Sequence, residues 1–128
     1  MKIEKLHIPA TKYTPEIILD PDKGLIDIRG KSYPENTFEF YEPVMKWVEE
    51  YLKCCKNKEI TVNMEIVYFN SSSSKLFFDL FDMLYEAKDK CKITINWIYD
   101  PENESAEEAG EDFIEDFEDL DIRLVRKE

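Results

Sequence analysis

The chain has 128 residues, of which 43% are hydrophobic and 36% charged, so it has enough apolar surface for one domain with one core. This composition excludes disorder of the whole chain, and no stretch approaches the roughly 20 apolar residues of a membrane span. The net charge of −12 arises in one segment, because Asp100–Asp121 holds twelve acidic and no basic residues. Such a surface repels phosphate backbones and anionic lipid, which disfavours nucleic-acid and membrane binding and favours a basic protein partner.

The cysteines indicate the compartment. Cys54, Cys55 and Cys91 are odd in number and two are adjacent, which is a poor framework for disulfides and predicts reduced thiols. The N-terminus has no apolar run of signal-peptide length. Together these features predict a cytoplasmic protein.

The first quarter of the chain predicts strands. Lys2–Ile8 alternates weakly between apolar and polar residues, as a strand does. Glu16–Leu19 and Leu25–Arg29 are short apolar runs that flank Asp20–Gly24, where proline and glycine supply turn dihedrals. We therefore expect an N-terminal β-hairpin.

A helix is predicted after the loop of residues 32–36. Asn36 or Thr37 is the expected cap, with Glu39 as the partner of a capping box. Pro43 lies inside the helical pattern, so it either kinks the helix or marks a later start near Glu42. The apolar residues at helical spacing are Phe40, Val44, Trp47, Val48 and Tyr51.

The second half alternates strands and helices. Strands are predicted at Glu59–Phe69, Ile93–Ile98 and Asp121–Val125, and helices at Lys75–Asp89 and Glu104–Glu118. In the first of these strands the inward set is Ile60, Val62, Met64, Ile66 and Tyr68. The order β-β-β-α-β-α-β-α-β predicts one α/β domain over residues 1–128, with a mixed, mostly parallel sheet, an N-terminal hairpin and about three helices.

The chain lacks the parts of most catalytic sites. Only three glycines and one histidine, His7, are present, so no phosphate loop, nucleophile elbow or Cys/His zinc set is formed. We expect no enzyme activity, no cofactor and no metal. A carboxylate enzyme working through Asp100 and Asp112 is an alternative that requires a pocket with a raised pKa.

The acidic segment also allows a calcium loop to be considered. Asp100, Glu102 and Glu104 have the alternation of such a loop, but Ser105 stands where the pattern requires glycine. A solvated acidic helix face is therefore favoured.

The most informative feature is the run Ser71–Ser74, which lies between the predicted central strand and helix. A serine there can cap the helix by accepting a backbone N–H. The same place suits a phosphate, because a helix N-terminus has free N–H donors and a positive dipole end. Lys75 either steadies such a phosphate or is an ordinary exposed lysine. The residues alone leave cap and switch open.

The helix that follows carries an unusually wide apolar arc. Phe78, Phe81 and Tyr85 extend the core stripe on one flank. Either the helix from Phe40 to Leu52 covers this flank, or it is a partly exposed aromatic patch that docks a partner.

Five stretches, in this order, carry a family resemblance. The order of elements resembles the STAS domains of anti-sigma factor antagonists. The residues of the five stretches resemble a narrower group, the SiaC family of biofilm-regulation phosphoproteins. The resemblance covers essentially the whole chain. The stretches are Leu6-His7-Ile8-Pro9, Ser32-Tyr33-Pro34-Glu35-Asn36, Trp47-Val48-Glu49, Tyr68-Phe69-Asn70-Ser71-Ser72-Ser73 and Trp97-Ile98-Tyr99-Asp100-Pro101.

The resemblance implies a non-enzymatic, partner-switching regulator with a STAS-like fold. It implies phosphorylation at Ser71, with Ser72 the next candidate, by a Ser/Thr kinase of histidine-kinase-type ATPase fold, and reversal by a PP2C-type phosphatase. The implied target is a diguanylate cyclase. The expected partner-binding residues are Asn70, Ser72, Ser73, Lys75, Phe78 and Tyr85. The alternative is a constitutive interaction module that uses its acidic C-terminal helix.

Overall fold

The computed structural model describes residues 3–127, and over that range the element order is the predicted one. The predicted first strand is shorter than expected, and its Lys2 lies outside the described residues. The elements are β1 Leu6–Ile8, β2 Glu16–Asp20, β3 Leu25–Ser32, α1 Thr37–Lys53, β4 Glu59–Phe69, α2 Ser71–Ala87, β5 Lys92–Tyr99, α3 Glu104–Asp116 and β6 Asp121–Arg126.

The strands form one sheet in the order β1-β2-β3-β4-β5-β6. The first two pairings are antiparallel and the other three are parallel, so the mixed sheet and the β2–β3 hairpin are confirmed. Gly24 closes the hairpin turn with a φ of +62°, and a Cβ there would lie 2.3 Å from the Glu59 carbonyl oxygen.

The core lies between the sheet and the three helices. Right-handed parallel connections place α1, α2 and α3 on one face. Paired strand residues such as Ile28, Met64 and Trp97 are buried there. The opposite face is polar, and Arg29 bonds Asp27 at 2.7 Å and Glu65 at 3.1 Å across it.

Helix α1 begins at Thr37, which is the earlier of the two predicted starts. Asn36 is its N-cap, and the Glu39 N–H donates to the Asn36 Oδ1 at 3.0 Å, so the asparagine cap is confirmed. Pro43 lies inside the helix, and the expected start near Glu42 is wrong. Tyr41 is buried in the core.

Two expectations around β4 need correction. Helix α2 starts at Ser71, four residues before the predicted Lys75, so the serines form its first turn. Tyr68, expected to face inward, is 54% exposed. The cause is a register shift after Gly30, which pairs Lys31 with Tyr68 and reverses the alternation at the end of β4, so that Tyr68 faces outward and Phe69 packs against the core.

The expectation of reduced thiols also needs correction. Cys55 and Cys91 form a disulfide with Cα atoms 5.9 Å apart, joining the turn after α1 to the turn before β5. Cys54 is a free, exposed thiol. No helix within residues 3–127 has the length and apolarity that a membrane crossing requires.

Candidate functional site at the start of α2

Asn70, and not a serine, caps helix α2. Its side-chain oxygen accepts the Ser73 N–H at 2.9 Å, and its backbone oxygen accepts the Ser74 N–H at 3.0 Å. The Asn70 N–H in turn donates to the Ser32 carbonyl at 3.1 Å. The capping duty that was expected of the serines is therefore already filled.

Ser73 anchors this first turn to the core. Its hydroxyl donates to the Ser32 carbonyl at 2.9 Å and accepts from the Ser32 hydroxyl at 2.8 Å. Since the Ser32 proton is used there, the Tyr41 hydroxyl must donate to the Ser32 Oγ, 2.5 Å away. Burial raises the pKa of Tyr41 to about 12, so this donor stays protonated.

The serines therefore divide into buried and exposed members. Ser73 is fully buried, which corrects the expectation that its side chain contacts a partner and excludes it as an accessible phosphate acceptor. Ser71 and Ser72 are exposed, and Asn70 is half-buried. Among the described residues, no hydrogen bond uses the Ser71 hydroxyl, and no acceptor meets the N–H groups of Ser71 and Ser72.

Ser71 lies on the same face of α2 as the predicted aromatic contacts. At 100° per residue, Ser71, Lys75, Phe78 and Tyr85 fall within one exposed stripe. Phe78 is 40% and Tyr85 39% exposed. Sequence reasoning grouped these side chains, and the helix brings them onto one surface.

The third aromatic residue of that flank behaves differently. Phe81 is buried, and its ring lies 4.8 Å from the ring of Phe113 and 5.7 Å from that of Phe117. The Phe81 part of the flank is therefore covered by α3 and the turn after it, which corrects the alternative that α1 covers it, while Phe78 and Tyr85 stay partly exposed. Helix α1 meets α2 elsewhere, through Tyr41 and Phe77.

A second aromatic cluster near the site was missed. The Tyr33 ring lies 5.3 Å from the Tyr13 ring and 5.4 Å from the Tyr68 ring, and Tyr13 and Tyr68 are more than half exposed. Tyr33 directly follows Ser32, whose carbonyl bonds Asn70, so the cluster adjoins the start of α2. Phe38, 75% exposed, is a further apolar side chain at the start of α1. No pattern in the sequence marks this surface, because the three tyrosines lie far apart along the chain.

Comparison with known proteins bears on this geometry. A family model described as SiaC family regulatory phosphoprotein matches residues 8–127. An uncharacterised protein of Pseudomonas aeruginosa strain UCBPP-PA14 is 38% identical over 112 residues, which is 87% of this chain and 88% of that protein.

Solved structures of the same family superpose closely. The crystal structure of apo-SiaC from Pseudomonas aeruginosa aligns with a TM-score of 0.82 at 32% identity, covering 97% of this chain and 98% of that one. A chain of the crystal structure of diguanylate cyclase SiaD in complex with its activator SiaC, from the same organism, aligns with a TM-score of 0.88 at 34% identity, covering 95% and 99%. With a match over nearly its whole length, this chain belongs to the SiaC family of regulatory phosphoproteins.

Proposed function

We propose that this protein is a non-enzymatic, partner-switching regulator in which phosphorylation of Ser71 controls binding to a diguanylate cyclase. The observation that carries the proposal is the exposed Ser71 hydroxyl, which has no structural duty because Asn70 caps the helix and Ser73 anchors it. A hydroxyl with that freedom accepts a phosphate without unfolding the helix.

The local physics favours a phosphate at Ser71. The free N–H groups of the first turn and the positive end of the helix dipole stabilise negative charge there. Lys75 is one turn further along and exposed, so its ammonium is available as an ion-pair partner in the i, i+4 arrangement. Ser72 is the next candidate acceptor, being the exposed neighbour.

The docking surface that we propose is the exposed stripe of α2 that carries Lys75, Phe78 and Tyr85, with Asn70 and Ser72 at its start. A partner that covers this stripe also covers Ser71. Phosphate there must lose its water on binding, and an unpaired charge buried in an interface costs several kcal/mol. About 1.4 kcal/mol already weakens binding tenfold, so one phosphate suffices to release the partner.

The identity of the partner is proposed from family relatives. SiaC of Pseudomonas aeruginosa is the activator of the diguanylate cyclase SiaD with which it was crystallised. We propose that this protein is cytoplasmic and that a cyclase of that class is its partner. We further propose that a Ser/Thr kinase of histidine-kinase-type ATPase fold adds the phosphate and that a PP2C-type phosphatase removes it.

The test begins with the modification. The protein is incubated with ATP and the Ser/Thr kinase encoded beside it, and intact mass with fragment mapping locates the product. We expect one phosphoryl group at Ser71. Phosphate scattered over Ser71, Ser72 and Ser74, or none at all, contradicts the proposal.

The second measurement is binding by calorimetry to the diguanylate cyclase of the same organism. We expect the unmodified protein to bind and the Ser71-phosphorylated protein to bind at least about tenfold more weakly. Ser105→Ala is the matched control, since it removes an exposed hydroxyl from the first turn of α3, outside the proposed docking surface. Equal binding by Ser71→Ala, Ser71→Asp and the phosphorylated protein rejects the switch.

A further inference from the structure

An open groove of about 370 Å³ separates α2 from the end of α3. Phe78 and Tyr85 form its α2 side, and Phe117 lies at its base, with the Phe78 and Phe117 rings 4.8 Å apart. Since Phe78 is two helical turns beyond Ser71, the groove continues the exposed stripe of α2 from about 10 Å along the axis. We name it the α2–α3 groove.

The rim of the α2–α3 groove is acidic. Five carboxylates line it, among them Asp82, Glu115 and Glu118, and no basic side chain of the described residues does. Among residues 3–127, none of these five forms an ion pair, and one, Asp119, accepts a hydrogen bond from the Tyr85 hydroxyl at 3.4 Å. Like charges along one rim repel one another, so a cation that enters the groove relieves the repulsion.

One of the two aromatic side chains on the α2 side of the groove, Tyr85, already contacts a cation. The Lys88 Nζ lies 5.1 Å from the centre of the Tyr85 ring, within the range of a cation–π contact. The Phe78 ring, 40% exposed and two turns away, has no such cation within the described residues. Aromatic faces bounded by carboxylates are the surroundings that a guanidinium group prefers, because it stacks on the ring while its edge bonds to oxygen.

We propose that the α2–α3 groove binds a positively charged, amphipathic segment of the partner protein, with an arginine or lysine stacked on Phe78 between the carboxylates. This rests on the proposed function in taking the exposed stripe of α2 as the docking surface. Charge complementarity selects this occupant over a second copy of the chain, whose net charge is also −12.

This partner chemistry constrains how phosphorylation acts. A phosphate at Ser71 adds negative charge beside an already negative groove, and at long range that attracts a basic segment more strongly. Release of the partner must therefore come from the local loss of water and the added bulk where the partner covers Ser71. The groove therefore attracts the basic segment of the partner, and the phosphate at Ser71 prevents the partner from binding.

The first test uses a probe that needs no cyclase. A helical peptide of about five turns, with leucine on one face and arginine on both flanks, is titrated into the isotope-labelled protein, and amide chemical shifts are followed. We expect shifts concentrated at Phe78, Asp82 and Tyr85 and in residues 115–119, and no binding of the same peptide with glutamate in place of arginine. Shifts spread evenly over Glu104–Asp112 as well, or no shifts, overturn the groove.

The second test uses matched charge reversals in the whole protein. Glu115→Lys with Glu118→Lys changes the rim, while Glu108→Lys with Glu111→Lys makes the same charge change at the same spacing, away from the groove. We expect the first pair to weaken the peptide, and the cyclase, by about tenfold or more and the second by less than about threefold. Equal effects of the two pairs indicate attraction by net charge alone and reject the groove.

The outcomes separate this inference from the proposed function. Binding that depends on Ser71 phosphorylation but is the same for both charge-reversal pairs leaves the switch and removes the groove. Groove-dependent binding of the peptide with no effect of Ser71 phosphorylation on the cyclase leaves the groove and removes the switch.

Discussion

At the scale of single residues, the start of α2 separates three duties among neighbours. Asn70 caps, Ser73 anchors and Ser71 is exposed with its hydroxyl free. The first turn of α2 requires the hydrogen bonds of Asn70 and Ser73 but none from the Ser71 hydroxyl. The phosphate that we propose at Ser71 would therefore act on whatever docks on the surface and not on the core.

This division predicts different stabilities for two adjacent alanine variants. Asn70→Ala leaves the Ser73 N–H without its acceptor, and we expect it to lower the free energy of unfolding by about 1 kcal/mol. Ser71→Ala removes no hydrogen bond, and we expect a change within about 0.5 kcal/mol. Urea unfolding measures both, and a larger loss in Ser71→Ala than in Asn70→Ala contradicts the assignment of the cap.

The buried Tyr41 hydroxyl predicts a loss of stability at high pH. Burial raises the pKa of Tyr41 from 10.0 to about 12, so above pH 10 the unfolded chain releases this proton before the folded one does. The contribution is fully present below pH 10 and is lost as the pH rises through about 12, amounting to roughly 2–3 kcal/mol.

Tyr41→Phe isolates this contribution. At pH 8 we expect it to cost about 1 kcal/mol for the lost hydrogen bond to Ser32. Its stability then falls less steeply than that of the natural protein from pH 10 to 12, measured by urea unfolding at each pH. Parallel curves for the two proteins place the titration on other groups.

At the scale of elements, α3 lies close to the sheet because of Gly110. A Cβ there would lie 2.5 Å from the Trp97 Cδ1 and 2.6 Å from the Leu124 Cδ2, and both belong to strands under the helix. The Trp97 Nε1 also donates to the Ala106 carbonyl at 2.8 Å, which fixes the ring under the helix. Since the indole has no room to retreat, α3 itself must shift if the glycine is replaced.

Gly110→Ala should therefore destabilise the fold, although alanine is the better helix former by about 1 kcal/mol. We expect a net loss of about 1–3 kcal/mol from overpacking, seen as a lower melting temperature. Glu108→Ala, at an exposed position of the same helix, is the control and should change stability little. An increase in stability in Gly110→Ala would mean that the helix moves without cost.

The elements themselves follow from the pattern of the sequence. The alternation in β4 and the 3.6-residue spacing in α1 and α3 come from which side chains face the core, so their order and type were predictable. The start of α2 was misjudged because serine is typical of both a cap and a first turn, and only the asparagine geometry decides between them. Tyr68 was misjudged because its orientation depends on a register shift in the neighbouring strand.

Contacts between residues far apart along the chain could not be predicted from the pattern of apolar and polar residues. Tyr13, Tyr33 and Tyr68 meet only because strand pairing brings two loops and the end of β4 together. The Cys55–Cys91 disulfide spans 36 residues, and the adjacent Cys54 conceals which thiol is involved. The proposed phosphate acceptor, Ser71, in contrast, follows from its neighbours along the chain.

At the scale of the whole molecule, the acidic groove and the start of α2 are two separate, adjacent parts of the surface. The acidic excess lies in and around α3, whereas the first turn of α2 contains no acidic residue. Ser71 is therefore at a locally positive place on a strongly negative protein.

This separation predicts different salt dependences for the two parts of partner binding. The groove acts through exposed charges, so raising salt from 0.05 to 0.5 M should weaken cyclase binding by shortening the Debye length. The penalty from phosphate at Ser71 comes from desolvation and bulk, and the affinity ratio of unmodified to phosphorylated protein should not shrink as salt rises. Calorimetry at several salt concentrations measures both, and a ratio that collapses toward one at high salt refutes the local mechanism.

Asn70, which caps the N-terminus of α2, has a consequence for the evolution of such a regulator. Because an amide holds the helix end, position 71 is free to exchange serine for threonine, alanine or an acid while the fold persists. With Ser71 as the proposed phosphate acceptor, a lineage could adopt a kinase of different preference, or fix the protein in one state, by a single substitution and without passing through an unfolded ancestor. The proposed acceptor could therefore change while the fold that carries it stays the same.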